Sequence, residues 1–185
     1  MDTPKGNYIR IRNLMYQVGY TPADVTRLRE MGFFIKPGSL NYHHNFEGGL
    51  AEHSLGVFDI LEELNDRLEL GFQFTDMVEA ALFHDLCKCD DYLVTTEFKI
   101  KDYVRFDKNP GRGKGHGTKS VELADAILDI QFNDVVKEAI ENHMGGYVND
   151  LTNLNRAYKR GNALAYWLHV ADMLSANPQL KGGTF

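Results

Sequence analysis

The stretch Ala80-Ala81-Leu82-Phe83-His84-Asp85-Leu86-Cys87-Lys88 ends an apolar run on an imidazole beside a carboxylate. Burying such a pair is costly unless a metal or a charge partner compensates it. Adjacent side chains on a helix diverge by about 100°, so a single ion reaches both only if further ligands arrive from other elements. The chain carries candidates on either side: His53 upstream, and His116, His143 and Asp172 downstream. Borderline divalent metals accept this mixture of imidazole and carboxylate. The set reads as a metal centre.

The elements that must position these residues are mostly helical. Tyr8 to Val18 carries Ile9, Ile11, Leu14, Met15 and Val18 in an approximate helical stripe. Thr21-Pro22, with Asp24 following, predicts a capped second helix to about Met31, stopped by Gly32. From Gly48-Gly49 onward Leu50, His53, Val57, Ile60, Leu61 and Leu64 share one inward face, which buries His53. Thr75 or Asp76 is expected to cap the next helix, which runs through Val78, Ala81, Leu82 and Leu86. The small Ala80 and Ala81 let the His53 helix come close. Tyr92 to Ile100 and Tyr103 to Phe106 alternate as strands do, predicting a small hairpin or lid at about residues 92 to 108. Asn109 to Gly115 follows as a basic turn rich in breakers; it lacks the spacing of a Walker loop. Helices are then expected from His116, from Asp134 to about Glu141, and as one long element from Ala157 to Ala176, with glycines after His143 fitting a stop.

The chain has 185 residues, 43% hydrophobic and 25% charged, enough for one domain with a sizeable core. There is no apolar run of about 18 residues and no basic-then-apolar start, so a cytoplasmic protein with no membrane span is expected. Cys87 and Cys89 are its two cysteines, expected to be reduced thiols. The net charge of -6 argues against a surface built for long nucleic acid. It is unevenly spread: Lys99, Lys101, Arg105, Lys108, Arg112, Lys114 and Lys119 against Asp102 and Asp107 give +5 locally, leaving -11 elsewhere. A small basic patch on an acidic body suits a compact anionic ligand.

The ordered set His53, His84-Asp85, His116, His143, Asp172 resembles the HD superfamily of metal-dependent phosphohydrolases, in the branch with extra histidines for a second metal. The resemblance covers roughly residues 41 to 176. Gly48-Gly49-Leu50-Ala51-Glu52-His53-Ser54, Phe83-His84-Asp85-Leu86-Cys87-Lys88, Gly115-His116-Gly117-Thr118-Lys119-Ser120 and Ala171-Asp172-Met173-Leu174-Ser175-Ala176 carry it. It implies an all-α HD-type bundle with a small β-hairpin-like insertion, preceded by N-terminal helices over residues 8 to 31. It also implies that His53, His84, Asp85 and Asp172 hold a first ion, with Asp85 bridging to a second held by His116 and His143. Two such ions about 3.5 to 4 Å apart can share a hydroxide as nucleophile and neutralise phosphoryl charge. Mn, Fe, Ni, Co and Mg all suit the set. Lys88 would stabilise phosphate oxygens as a compact charge.

Further substrate contacts are expected from His43 and His44, on the loop feeding the His53 helix, and from the Arg105 to Lys119 segment through Arg112, Lys114 and Lys119. Tyr42, Phe46, Tyr103 and Tyr147 are candidates to stack a base. His169, three residues before Asp172, is expected either behind the metal centre or packed beside Trp167. The expected function is hydrolysis of a phosphate ester or anhydride of a small nucleotide. The alternatives are a phosphodiesterase or nuclease on cyclic nucleotides or short single strands and, outside enzymes, a metal-containing nucleotide sensor.

Overall fold

The computed structural model describes residues 4–95, 105–108, 115–145 and 151–177. Its elements are α1 (Pro4–Gln17), α2 (Pro22–Glu30), α3 (Gly49–Leu68), α4 (Phe74–Phe83), the short α5 (Lys88–Asp91), β1 (Tyr92–Thr95), β2 (Arg105–Lys108), α6 (His116–Leu128), α7 (Asp134–Asn142), α8 (Leu151–Lys159) and α9 (Ala163–Ala176). Among the described residues the fold is all-α apart from the antiparallel pair β1–β2, in register from Tyr92 opposite Lys108 to Thr95 opposite Arg105. Alternating residue types foretold this pairing. Arg112, Lys114, Tyr103 and Tyr147 lie outside the described residues.

Helix α3 lies at the centre, packed on α4 and α9, while α7 packs on α9, α6 and α4. The inward face of α3 is Leu50, Leu55, Val57, Phe58 and Leu61, all buried, and His53 is buried among them. Against it stand Val78, Ala80, Ala81 and Leu82 of α4, each fully buried. Small side chains there allow the two helices to approach closely.

Two glycines decide whether the elements around His53 and His143 can meet. A Cβ at Gly49 would sit 2.0 Å from the His44 carbonyl oxygen, so only glycine lets the His43-His44 loop lie across the start of α3. A Cβ at Gly117 would sit 2.2 Å from the Ile140 carbonyl oxygen, so glycine is needed where α6 crosses α7 beside His143. The loop before α3 is held by backbone bonds from Gly38 N–H to the His44 carbonyl (2.9 Å) and from Leu50 N–H to the Lys36 carbonyl (2.9 Å). The buried Lys36 ammonium also donates to the Tyr92 carbonyl, tying that loop to the base of the hairpin.

Three boundaries differ from expectation. Helix α4 starts at Phe74 with Gln73 as its cap residue, so Asp76 lies in the first turn, where it accepts from Asn133 Nδ2 at 2.8 Å. The same helix ends at Phe83, short of Leu86. Beyond it Leu86 N–H bonds to the Phe83 carbonyl (3.2 Å), Lys88 N–H to Asp85 (3.0 Å) and Cys89 N–H to Leu86 (3.0 Å). These are bonds three residues back, tighter than α-helical ones. The long helix expected from Ala157 to Ala176 is two, because Asn162 caps a fresh start by accepting from Ala165 N–H at 3.2 Å.

Candidate metal centre

The tight turn after α4 shapes the site. Residues three apart eclipse in such a turn, so Lys88 stands over Asp85 and its ammonium pairs with Asp85 Oδ2. His84, at the end of α4, faces α3 and α9. The centre thus draws on four elements: α3 for His53, the α4–α5 turn for His84 and Asp85, the end of α7 for His143, and α9 for Asp172.

Each imidazole is fixed by a bond on its Nδ1. His84 Nδ1 lies 2.9 Å from the Ala81 carbonyl, and His143 Nδ1 lies 2.7 Å from the Ile140 carbonyl. Carbonyls only accept, so both rings carry their proton on Nδ1. His53 Nδ1 lies 3.2 Å from Ser175 Oγ, whose own proton goes to the His53 carbonyl at 3.3 Å. That hydroxyl is left as the acceptor from Nδ1–H. In their neutral forms all three rings therefore present an Nε2 lone pair to one interior space.

In the neutral rings those lone pairs face one another. His53 Nε2 and His84 Nε2 are 3.3 Å apart, and Asp172 Oδ1 is 3.0 Å from the first and 3.8 Å from the second. Asp85 Oδ2 is 3.3 Å from His84 Nε2, and Asp85 Oδ1 is 3.7 Å from His143 Nε2. His143 Nε2 is buried and has no hydrogen-bond partner among the described residues. Acceptors crowded together in a low-dielectric interior repel unless a cation joins them. The residues present fit a divalent metal.

Electrostatics agree. Burial pushes His53 down to about 4, so it is neutral near pH 7. Burial also opposes a charge on His84, but Asp85 and then Asp172 outweigh it and raise the ring above its ordinary value. Burial disfavours ionised Asp85 too, yet Lys88 and His84 hold it well below the usual carboxylate range. Asp172 is likewise held low against burial, by His53 and His84. Two ionised carboxylates favour positive charge at the spot where the lone pairs converge.

A second group adjoins the first. Carboxylate, sulfur and ring nitrogen atoms of Asp85, Cys87 and His116 lie within 4.8 Å of one another, with His116 opening α6. A cleft of about 500 Å³ opens over both groups, lined by Asp85, Lys88, His116 and Asp172 together with His43, Tyr42, Asn41, Leu40, Met144 and Met173. His43 and His44 stack beside the His53 ring, at centroid distances of 4.7 and 5.2 Å. Burial and the nearby Lys88 push His43 down to about 4. Tyr42 is 85% exposed, a ring at the cleft mouth, while Phe46 packs on His44. Lys119 instead pairs with Asp90 and, at 2.9 Å, with Asp91. His169 Nδ1 donates to the His143 carbonyl at 2.6 Å.

Sequence reasoning missed Ser175, Ser120 and Cys87 as parts of the site. Ser175 had a usable signal, three residues after Asp172 and so on the same helix face. The carbonyls that set the ring tautomers belong to Ala81 and Ile140, each three residues before its histidine.

Residues 50–177, well over half of the chain, match the HD domain family. Over 75 residues the chain is 33% identical to a dihydroneopterin 2',3'-cyclic phosphate phosphodiesterase of Methanocaldococcus jannaschii, an alignment covering 38% of this chain and 30% of that protein. The chain thus spans under a third of that curated relative's length. No solved structure gives a significant match. With the matched span running from the start of α3 to the end of α9, and with every proposed ligand inside it, the chain belongs to the HD domain family.

Proposed function

We propose that the chain is a divalent-metal-dependent phosphohydrolase that cleaves a phosphate ester or anhydride in a small, nucleotide-like substrate. The observation that carries this reading is the set of imidazole lone pairs and carboxylates facing one another beside a cleft of about 500 Å³. His53, His84, Asp85 and Asp172 would hold one ion; Asp85, His116 and His143 would hold a second. Bound there, divalent ions supply a Lewis acid for phosphoryl oxygens and acidify a water for attack.

The chain's own residues do the rest. Lys88 is buried to 8% exposure and bonded to Asp85, so it keeps the bridging carboxylate ionised and presents fixed positive charge to a phosphate in the cleft. Both Lys88 and Asp85 are pinned by the tight turn, which limits reorganisation during reaction. Ser175, Ala81 and Ile140 hold the three rings in one tautomer. Leu40, Met144 and Met173 give the cleft an apolar wall, with Tyr42 at its mouth, suited to a flat organic ring attached to the phosphate. Arg112 and Lys114 are proposed as further phosphate contacts from the basic segment, whereas Lys119 is held by Asp90 and Asp91.

A phosphodiester is the second reading, favoured by the similarity to a protein named for hydrolysis of a cyclic phosphate. Product analysis separates the two. The wild-type chain and Asp85→Ala are incubated with Mn²⁺ and a panel of nucleoside mono-, di- and triphosphates, cyclic nucleotides, pterin cyclic phosphates and short single strands. Release of phosphate or pyrophosphate by wild type alone supports the first reading, and a monoester product the second. Turnover of nothing, with metal bound, would set both aside in favour of a sensor.

A further inference from the structure

Cys87 is fully buried, yet its sulfur faces a polar ring: Sγ lies 3.3 Å from His116 Nδ1. One hydroxyl brings the two residues together. Ser120 Oγ accepts the Cys87 amide N–H at 3.1 Å and donates to the His116 carbonyl at 3.0 Å, joining the turn after α4 to the first turn of α6. With a carboxylate oxygen of Asp85, the sulfur and a His116 nitrogen all fall within 4.8 Å of one another. A buried ring nitrogen without a hydrogen-bond partner among the described residues, His143 Nε2, points to the other Asp85 oxygen at 3.7 Å. Asp85 therefore stands between two ligand groups. His53, His84 and Asp172 form one group, Cys87 and His116 adjoin Asp85 in another, and His143 meets Asp85 beside His84.

We propose that Cys87 supplies a sulfur ligand to the second metal position, beside Asp85 and His116, and so tunes that position toward borderline metals and away from Mg²⁺. The inference rests on the two-ion reading of the preceding subsection. Thiolate is a soft ligand that suits Zn²⁺, Fe²⁺ and Co²⁺, whereas Mg²⁺ prefers an all-oxygen shell. As the ion binds, the S–H bond breaks, the proton leaves through the cleft to solvent, and a sulfur lone pair forms the bond to the metal. No electron is gained or lost by sulfur. The competing role is a thiol that donates to His116 Nδ1 and orients that ring without touching the ion.

Cobalt titration of the metal-stripped full chain distinguishes these. Visible ligand-field bands report any bound Co²⁺, a near-ultraviolet charge-transfer band reports thiolate on cobalt, and the bound metal is counted directly. The expected result for wild type is two equivalents, with the charge-transfer band growing in alongside one of them. Cys87→Ser should lose that band and bind the corresponding equivalent at least about tenfold more weakly, since even removing a partner behind a ligand costs that much. Excess Mg²⁺ should displace that equivalent from Cys87→Ser far more readily than from wild type. Cys89→Ser should behave as wild type, and because it leaves Cys87 as the one cysteine, its band carries the test even if Cys87→Ser does not fold. Two cobalt ions with no thiolate band in wild type would overturn the proposal while leaving the two-ion reading intact, as would a band lost only in Cys89→Ser. Fewer than two equivalents in wild type would overturn both.

Discussion

Two polar clusters sit between helices of this bundle, and they are built on opposite principles. Where α2, α4 and the end of α6 meet, the Tyr20 hydroxyl donates to Glu79 at 2.7 Å, while Asp24 accepts from Thr21 and Arg27. Most donors there find acceptors, although Arg27 Nε is buried without a hydrogen-bond partner among the described residues. At the other cluster His53 and His84 bring their Nε2 atoms to 3.3 Å, and His143 Nε2 has no hydrogen-bond partner among the described residues. A largely satisfied network stabilises the fold, whereas on the proposed reading the crowded ring nitrogens and carboxylates are joined by a cation. The contrast predicts that one cluster should answer to metal and the other only to mutation.

The largest effect should come from Asp85, whose two carboxylate oxygens face His84 and His143. Asp85→Ala is expected to abolish binding at one position, weaken the other, and lower kcat/KM at least about a hundredfold. Metal analysis of the purified variant, with steady-state kinetics on whichever substrate is found, checks it. Full metal content in Asp85→Ala would break the contrast at its strongest point.

Metal should also stabilise the wild-type fold. At free metal about 100 times the dissociation constant the gain is about 2.7 kcal/mol per independent site, read as a rise in unfolding midpoint. His143→Ala should lose part of that increment. Tyr20→Phe should behave in the reverse manner: it removes the donor to a half-buried Glu79, costs about 1 kcal/mol, and leaves the metal increment unchanged. Denaturation of each variant with and without Mn²⁺ gives both numbers. A metal-dependent penalty for Tyr20→Phe would mean that the two clusters are coupled through α4, which carries Glu79 near its middle and leads into His84 at its C-terminal end.

The two clusters also differ in how far the sequence disclosed them. Residue types and order were enough to nominate His53, His84, Asp85, His116, His143 and Asp172, because imidazole and carboxylate set on apolar faces need a shared reason to be there. Thr21-Pro22 with Asp24 was equally plain, since that cap is local in the chain. The turn through His84 to Lys88 was hidden, because apolar spacing through Leu86 fits an α-helix as well as a tighter turn. That turn is what sets Lys88 over Asp85. Cys87 and Ser175 were hidden for another reason: their partners, His116 and His53, are distant in sequence, and only the packing of α6 and α9 brings them into reach.

The smallest expected effect tests the largely satisfied cluster by pH. Burial alone would raise the Asp24 carboxyl, but hydrogen bonds from Thr21 and Arg27 outweigh it and hold the folded value below the ordinary one. A depressed carboxyl binds fewer protons when folded than when unfolded, so its contribution is present above the ordinary carboxylate range and is lost as pH falls through the lowered folded value. Asp24→Asn keeps much of the shape but removes the charge and one capping acceptor. It should cost about 0.5 to 2 kcal/mol at neutral pH and a smaller amount in strong acid, where wild-type Asp24 is itself protonated. Unfolding of both proteins across the acid range, with metal removed so that Asp85 and Asp172 do not add a metal-linked term, should show the two stability curves converging toward low pH. Parallel curves would mean that Asp24 acts only through shape and that the charge on this cap contributes nothing.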